Sequence, residues 1–337
     1  MPVSSGGKAS AKACVDEMGE AMQCSNGRLR MRRLATLAVV PAFTCALMAL
    51  APGAQAQDIE PRAYSNAPVG VNFLIAGYAN TRGGLAFDPS VPIADADLRT
   101  SNAILAYART LDVFGMSGKF DVVLPFTWLS GTAVFAGEPI ERVVDGFADP
   151  AFRFSVNFHG APALSLREFA RYRQDTIVGL SLRVTAPLGQ YDNTRVVNIG
   201  TNRWSVKPEL GVSRALGRWT LEGKAGATLF TRNDDFFGGQ TREQDPLYSI
   251  QAHAIYNLPS GTWASIDTTW FGGGRTTIDG LRGSDLQQNW RVGGTLTFPI
   301  DARNSVKFYA SSGVSSRTGN DFDLLGIVWQ YRWGAGI

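Results

Sequence analysis

The chain has 337 residues, of which 45% are hydrophobic, 11% aromatic and only 18% charged, with 37 glycines. Low charge with many aromatics and glycines excludes a disordered chain and suits an all-β protein with many turns. The formal charge of +3 sits with residues 1–56, which carry six basic groups against three acidic ones, so it gives no reason to expect a nucleic-acid partner.

Arg32-Arg33 precede an uncharged run from Leu34 to Leu50, followed by Pro52-Gly53 and Ala54-Gln55-Ala56. A basic start, an apolar middle and a small-x-small end predict a signal peptide over 31–56, cleaved before Gln57. The alternative, an uncleaved membrane anchor, is opposed by Pro41 and by the Pro-Gly pair. Met31 lies directly before the two arginines, so residues 1–30 read as a disordered upstream extension. Phe43-Thr44 before Cys45 makes a poor lipobox, which argues against a lipoprotein. Cys14, Cys24 and Cys45 all precede residue 57, so the processed chain has no disulfide framework and no thiolate metal site. Beyond the leader, 57–68 is expected to be a periplasmic segment, either a plug or a disordered tail, with 69–333 the folded body and 334–337 a C-terminal tail.

The body contains no second apolar run long enough for a spanning helix, which needs ~18 residues or more. It alternates instead, with the period of two that marks strands. Val69, Val71, Phe73 and Ile75 form a first stripe, and Ala103 to Thr110 a weaker, mixed one. Phe120, Val122, Leu124 and Phe126 follow, then Phe152, Phe154, Val156 and Phe158, then Val178, Leu180, Leu182 and Val184. The second half alternates more cleanly, in stretches beginning near Trp204, Trp219, Tyr248, Ala264, Trp290 and Val306. The last runs Leu325, Ile327, Trp329, Tyr331 and Trp333 against Gly326, Val328, Gln330 and Arg332. Each segment is near the ~9–11 residues of a tilted membrane strand. The expected fold is an all-β, antiparallel transmembrane β-barrel of about 12 strands, its oily faces toward lipid and a hydrated interior. Alternation alone does not separate lipid from a protein core, so a secreted β-sandwich stays open as the alternative.

Connections alternate between long ones (80–98, 131–148, 189–202, 232–246 and 272–287) and short ones (112–117, 215–218, 258–261 and 300–304), with 315–321 intermediate, as in outer-membrane barrels with short periplasmic turns and long outer loops. Residues 160–175 break this pattern, being long where a periplasmic turn is expected. Leu164, Leu166, Phe169, Ala170 and Tyr172 among Arg167, Arg171 and Arg173 predict a short amphipathic helix at the inner rim. Trp128, Trp204, Trp270 and Trp290 fall at expected outer strand ends, and Trp219, Trp263 and Trp333 at inner ends, which reads as two interfacial girdles. Trp263 has inward parity in this register, so its strand is expected to slip by one near its start.

Glu60–Pro68 (EPRAYSNAP), Gly200–Trp219, Asn233–Gly239 (NDDFFGG), Arg242–Ser249 (REQDPLYS), Gln287–Gly293 (QQNWRVG) and Ser305–Asp323 resemble the outer-membrane transporter family associated with the MetA-pathway of phenol degradation. The resemblance covers nearly the whole body. It implies an outer-membrane channel of a kind linked to uptake of aromatic or other hydrophobic compounds, and it carries over no catalytic or ligand residues. Gly334–Ile337 after Trp333 depart from a closing aromatic at the very end.

The inward set contains Lys119, Arg153, Arg183, Lys207, Lys224, Arg291, Lys307 and Arg332 against Asp121, Glu209, Glu222 and Asp267, with His253 beside them. An excess of Lys and Arg in a narrow pore favours anions, so a weakly anion-preferring conduit, for instance for aromatic carboxylates, is expected. The alternative is that these charges pair across the lumen. Ser249, His253 and Asn257 share the inward face but lie ~13 Å apart along a strand, too far to act together, and no enzyme is expected. Asn233-Asp234-Asp235 and Asn320-Asp321-Phe322-Asp323 match no metal loop, and Gly272-Gly273-Gly274-Arg275 precedes no helix, so neither metal nor cofactor is expected. The expected partners are outer-membrane lipid, lipopolysaccharide, a small solute and, during biogenesis, the barrel-assembly machinery. A structural or interaction barrel with a plugged lumen is the second reading of function.

Overall fold

The computed structural model describes residues 59–84, 93–317 and 321–336; the expected signal peptide, its cleavage point and the upstream extension lie outside them. Among the described residues the strands in chain order are β1 (Val71–Gly84), β2 (Ile93–Val113), β3 (Met116–Phe135), β4 (Glu138–Phe147), β5 (Ala151–Pro162), β6 (Thr176–Thr185), β7 (Ser205–Leu216) and β8 (Trp219–Phe230). There follow β9 (Asn233–Phe236), β10 (Gln240–Gln244), β11 (Leu247–Asn257), β12 (Trp263–Gly273), β13 (Thr276–Ile278), β14 (Leu281–Arg282), β15 (Gln287–Pro299), β16 (Asn304–Ser315) and β17 (Asp321–Gly334). One turn of helix, α1 (Leu166–Phe169), lies between β5 and β6.

Twelve of these strands close into one antiparallel ring: β1, β2, β3, β5, β6, β7, β8, β11, β12, β15, β16 and β17. The seam is complete, because β1 pairs with β17 from Val71 opposite Gly334 to Gly84 opposite Asp321, and with β2 on its other side. Closure removes every ring edge, which is what lets a sheet lie in hydrocarbon without unpaired backbone groups.

Side-chain alternation sorts the two faces. Leu105, Leu124, Phe154, Leu180, Leu210, Leu221, Ile250 and Ile327 are exposed on the outside, while Asp121, Ser155, Ser181, Glu209, Glu222, Gln251 and Asp267 are buried within. So large a continuous apolar surface fits a lipid surround and not water.

The long-loop end differs from expectation in detail. The stretch 131–148, expected as a loop, is mostly ladder, because β3 continues and pairs with β4 through a two-residue turn at Ala136 and Gly137. Both turn residues have positive φ, 51° and 86°, as a type I′ hairpin turn requires. β2 and β3 likewise run on as one hairpin into the stretch 80–98, of which 85–92 lie outside the described residues. β9, β10, β13 and β14 form a second small sheet from the 232–246 and 272–287 connections.

At the short-turn end the expected helix is a single turn, closed by a capping box in which Ser165 and Glu168 bond reciprocally. Its last residue, Phe169, stacks on Tyr172 in the stretch that follows.

Candidate functional site in the barrel lumen

A row of inward residues crosses four strands: Asp121 on β3, Arg153 on β5, Arg183 on β6 and Lys207 on β7 are successive cross-strand partners. Period-two geometry forces them onto one face because each is paired in register with the next. Asp121 accepts from Arg153 Nε at 3.0 Å. One rung on, Glu209 takes Lys207 at 3.0 Å and Lys224 of β8 at 3.3 Å. Lys119 joins them from β3. Of the expected lining residues, the structure thus gathers Lys119, Arg153, Arg183, Lys207, Glu209 and Lys224 into one cationic wall.

The segment Ile59–Gly70 runs through this interior, where the sequence leaves 57–68 open as a plug or a disordered tail. Glu60 meets the Arg153 guanidinium with both carboxylate oxygens, 2.7 Å for the Nη2–Oε1 bond. The Arg62 backbone N–H donates to Glu222 Oε2 at 2.6 Å, and its side chain donates to Asn257 and lies 4.7 Å from the Trp263 ring centroid. Tyr64 is 3% exposed, with its hydroxyl 3.2 Å from the Glu209 carbonyl and 3.3 Å from Ser181 Oγ. Asn157 donates to the Tyr64 carbonyl at 3.0 Å. The segment leaves the barrel beside the rim connection, where Asn66 donates to the Pro162 carbonyl and Val69 N–H to the Leu164 carbonyl.

The Tyr64 seat is made of absent side chains. Gly179 and Gly211 are cross-strand partners, and a Cβ on them would stand 2.3 and 2.0 Å from the Tyr64 ring. Two facing glycines therefore form a slot that only a flat ring fills. Between Glu60 and the wall there remains a cavity of about 10 Å³ bordered by Arg153, Ser181, Arg183, Lys207, Glu209 and Lys224, room for about one water.

A neighbouring sector of the wall is apolar over the strand middles. The stripe Val71, Phe73 and Ile75 faces inward, contrary to the expectation that such stripes meet lipid. Outward Tyr78 pairs with outward Ile327, so the alternate residues of β1 must point into the lumen. Ile75 is in register with Ala106, which faces Val123; Gly77 is in register with Ile104, which faces Pro125, and with Val328 of β17. β1 and β2 are apolar on both faces over their middles, which is why the stripe over 103–110 is weak and the one over 69–75 reads onto the wrong face.

The other expected residues fall in different places. Glu222 holds Arg62 and Ser213. His253 and Asp267 are fully buried, with Nδ1 2.7 Å from the carboxylate, which also accepts from Ser265 and Thr295. Asn257 bonds Arg62 and Thr220, not His253, so no triad assembles from the Ser249–His253–Asn257 face. Arg291 is 1% exposed and braces β17, donating to the Phe322 carbonyl at 3.0 Å and lying 3.6 Å over its ring. It is a strut and not an open lining charge. Lys307 faces Tyr309, 5.6 Å from the ring centroid. Arg332 is exposed at the inner rim, its Nε on the Ala302 carbonyl at 2.8 Å, and so stands outside the cationic wall.

Among the tryptophans, Trp128, Trp204 and Trp290 are about half exposed on the outer face toward the long loops, and Trp270 is paired directly with Trp290. Trp219 packs on Tyr256, and Trp333 stacks on Tyr331, both toward the short turns. Trp263 departs from the expected girdle. Its strand has no slip: Trp263 keeps the inward parity of Ser265 and Asp267 and receives Arg62. Among the described residues there is no group of three or more His, Cys, Asp or Glu that could hold a metal.

A closed twelve-strand antiparallel ring, lipid-compatible outside and polar within, is an outer-membrane β-barrel. The chain belongs to the family described as MetA-pathway of phenol degradation, which matches residues 81–331. Its fold is similar to the COG4313 outer membrane channel from Pseudomonas putida F1, at TM-score 0.69 and 21% identity over 82% of this chain and 100% of that one. A looser likeness, at TM-score 0.43 and 7% identity over 79% of this chain and 89% of the other, is to the CymD monoaromatic hydrocarbon channel. No curated protein sequence matches the chain.

Proposed function

We propose that the protein is a passive outer-membrane channel for small aromatic or otherwise hydrophobic compounds, with a preference for those that carry a negative charge. The observation that carries this reading is the lumen with two unlike sectors, an apolar strip over the middles of β17, β1, β2 and β3 and, next to it around the ring, a cationic row on β5 to β8. An aromatic ring would slide along the first while a carboxylate is attracted by the second, since a low-dielectric pore strengthens Coulomb attraction. The family's association with phenol degradation and the channel fold support the same solute class. In this reading Ile59–Gly70 is a plug that must move for solute to pass. The outward tryptophans at each rim form the interfacial girdles, lipopolysaccharide surrounds the long-loop end, and the exported chain is inserted by the barrel-assembly machinery after loss of its leader.

Flux of benzoate and toluene into protein-loaded liposomes, with reversal potentials in planar bilayers, tests this. Uptake of benzoate well above that of toluene, with anion selectivity, is expected. Cation selectivity would remove the charge preference. Absence of flux would favour the second reading, a closed barrel with a structural or interaction role, which the lumen-filling segment also fits.

A further inference from the structure

Arg153, Arg183 and Lys207 stand side by side across three strands. Like charges directly opposite one another on a sheet repel, so the row holds its place only with anions facing it. Counted with Lys119 and Lys224, the wall presents five cations against two carboxylates of its own, Asp121 and Glu209. Glu60 brings a third carboxylate, and it arrives on a tether from outside the sheet.

Its geometry is specific. Asp121 takes the Nε edge of Arg153, and Glu60 takes the terminal fork, with Nη2 donating to Oε1 at 2.7 Å and Nη1 donating to Oε2. Two parallel bonds from a guanidinium to a carboxylate is the arrangement by which proteins recognise that group. The space left against this pair, about 10 Å³, admits no second carboxylate while Glu60 is in place.

We infer that the Arg153 fork, with Arg183, Lys207 and Lys224 around it, is a binding site for the carboxylate of the transported solute, and that Glu60 occupies it in cis as a tethered competitor. The inference rests on the plug reading above and adds the ligand that displaces the plug. When a free carboxylate takes the fork, Glu60 leaves and the segment loses its charge-assisted hold on the wall. A short tether sets an effective concentration in the ~mM range, so a free carboxylate has to reach that range to compete. A neutral aromatic of the same shape cannot make the exchange, because it would strand the Arg153 charge.

Titration calorimetry on the full chain purified in detergent tests this with benzoate and its neutral counterpart benzamide. Glu60→Gln is expected to bind benzoate at least ~10-fold more tightly than the wild type, Arg153→Gln to lose binding, and benzamide to bind to none. In the wild type, benzoate is also expected to raise trypsin cleavage after Arg62 at constant ionic strength. Equal benzoate affinity in the wild type and Glu60→Gln overturns the inference, as does benzamide binding as tightly as benzoate. Heat-modifiable gel migration checks that each variant is folded; if Arg153→Gln is not, Arg183→Gln replaces it, with at least ~10-fold weaker benzoate binding expected and unchanged binding overturning the site. Benzoate that binds in this pattern yet fails to cross liposomes would sink the conduit and leave the site standing.

Discussion

The Tyr64 seat shows how much can hang on two missing methyl groups. A Cβ at Gly211 would lie 2.0 Å from the Tyr64 ring, and neither the backbone nor the flat ring can yield that far. Gly211→Ala should therefore expel the ring and raise single-channel conductance several-fold, with new trypsin cleavage after Arg62. Gly223→Ala, where the nearest atom to the new Cβ is 3.9 Å away, should leave conductance unchanged. An unaltered conductance in Gly211→Ala would mean that the ring does not hold the segment in place. None of this seat was legible in the sequence. Glu60 and Arg153 are 93 residues apart, and Tyr64 and Glu209 are 145 apart, so neither pattern nor spacing joins them. The cationic row was legible as a list of inward charges, because parity alone assigns a face. Which of those charges meet was not, since that depends on the register between strands.

At the scale of elements, period two was a reliable guide wherever one face met lipid and the other water, as on the ring strands other than β1 and β2. It failed on β1 and β2, where Phe73, Leu74, Ile75 and Ala76 are apolar in succession because the lumen beside them is apolar too. Trp263 misled for a related reason: an aromatic near a strand end reads as a girdle residue, and only Arg62 above it explains an inward ring. The rim connection between β5 and β6 offers a test of its own. Glu168 is held below the ordinary glutamate range first by the Ser165 hydroxyl and then by the Ser165 backbone N–H. A carboxyl with a depressed folded value stabilises its element above the unfolded value, and that contribution is lost as pH falls through the folded one. Hydrogen exchange of the α1 amides, corrected for intrinsic rates, should stay constant from pH 7 to pH 5 and quicken below the ordinary glutamate value. In Glu168→Gln the acid-dependent step should disappear, and a step that persisted would point to another group.

The whole molecule is defined by its closed ring and by the apolar band around it. Leu180, 52% exposed, lies mid-strand on the outer face of β6. Leu180→Arg should destabilise the barrel in liposomes by ~2–4 kcal/mol, the cost of a cation near the bilayer midplane, read as a lower urea midpoint of unfolding. A variant as stable as the wild type would place that face in water and reopen the sandwich. The outer reach of the ring has a further consequence. β2 and β3 contain 21 and 20 residues, which at ~3.3 Å per residue is ~65–70 Å of ladder, against ~9–11 residues for a crossing. Roughly half of that hairpin stands clear of the bilayer, stiffened by β4 against its side. The barrel thus carries a mast on one side of its mouth, rising beyond the apolar band. Solutes arriving from that side would meet this exposed ladder first, ahead of the mouth below it.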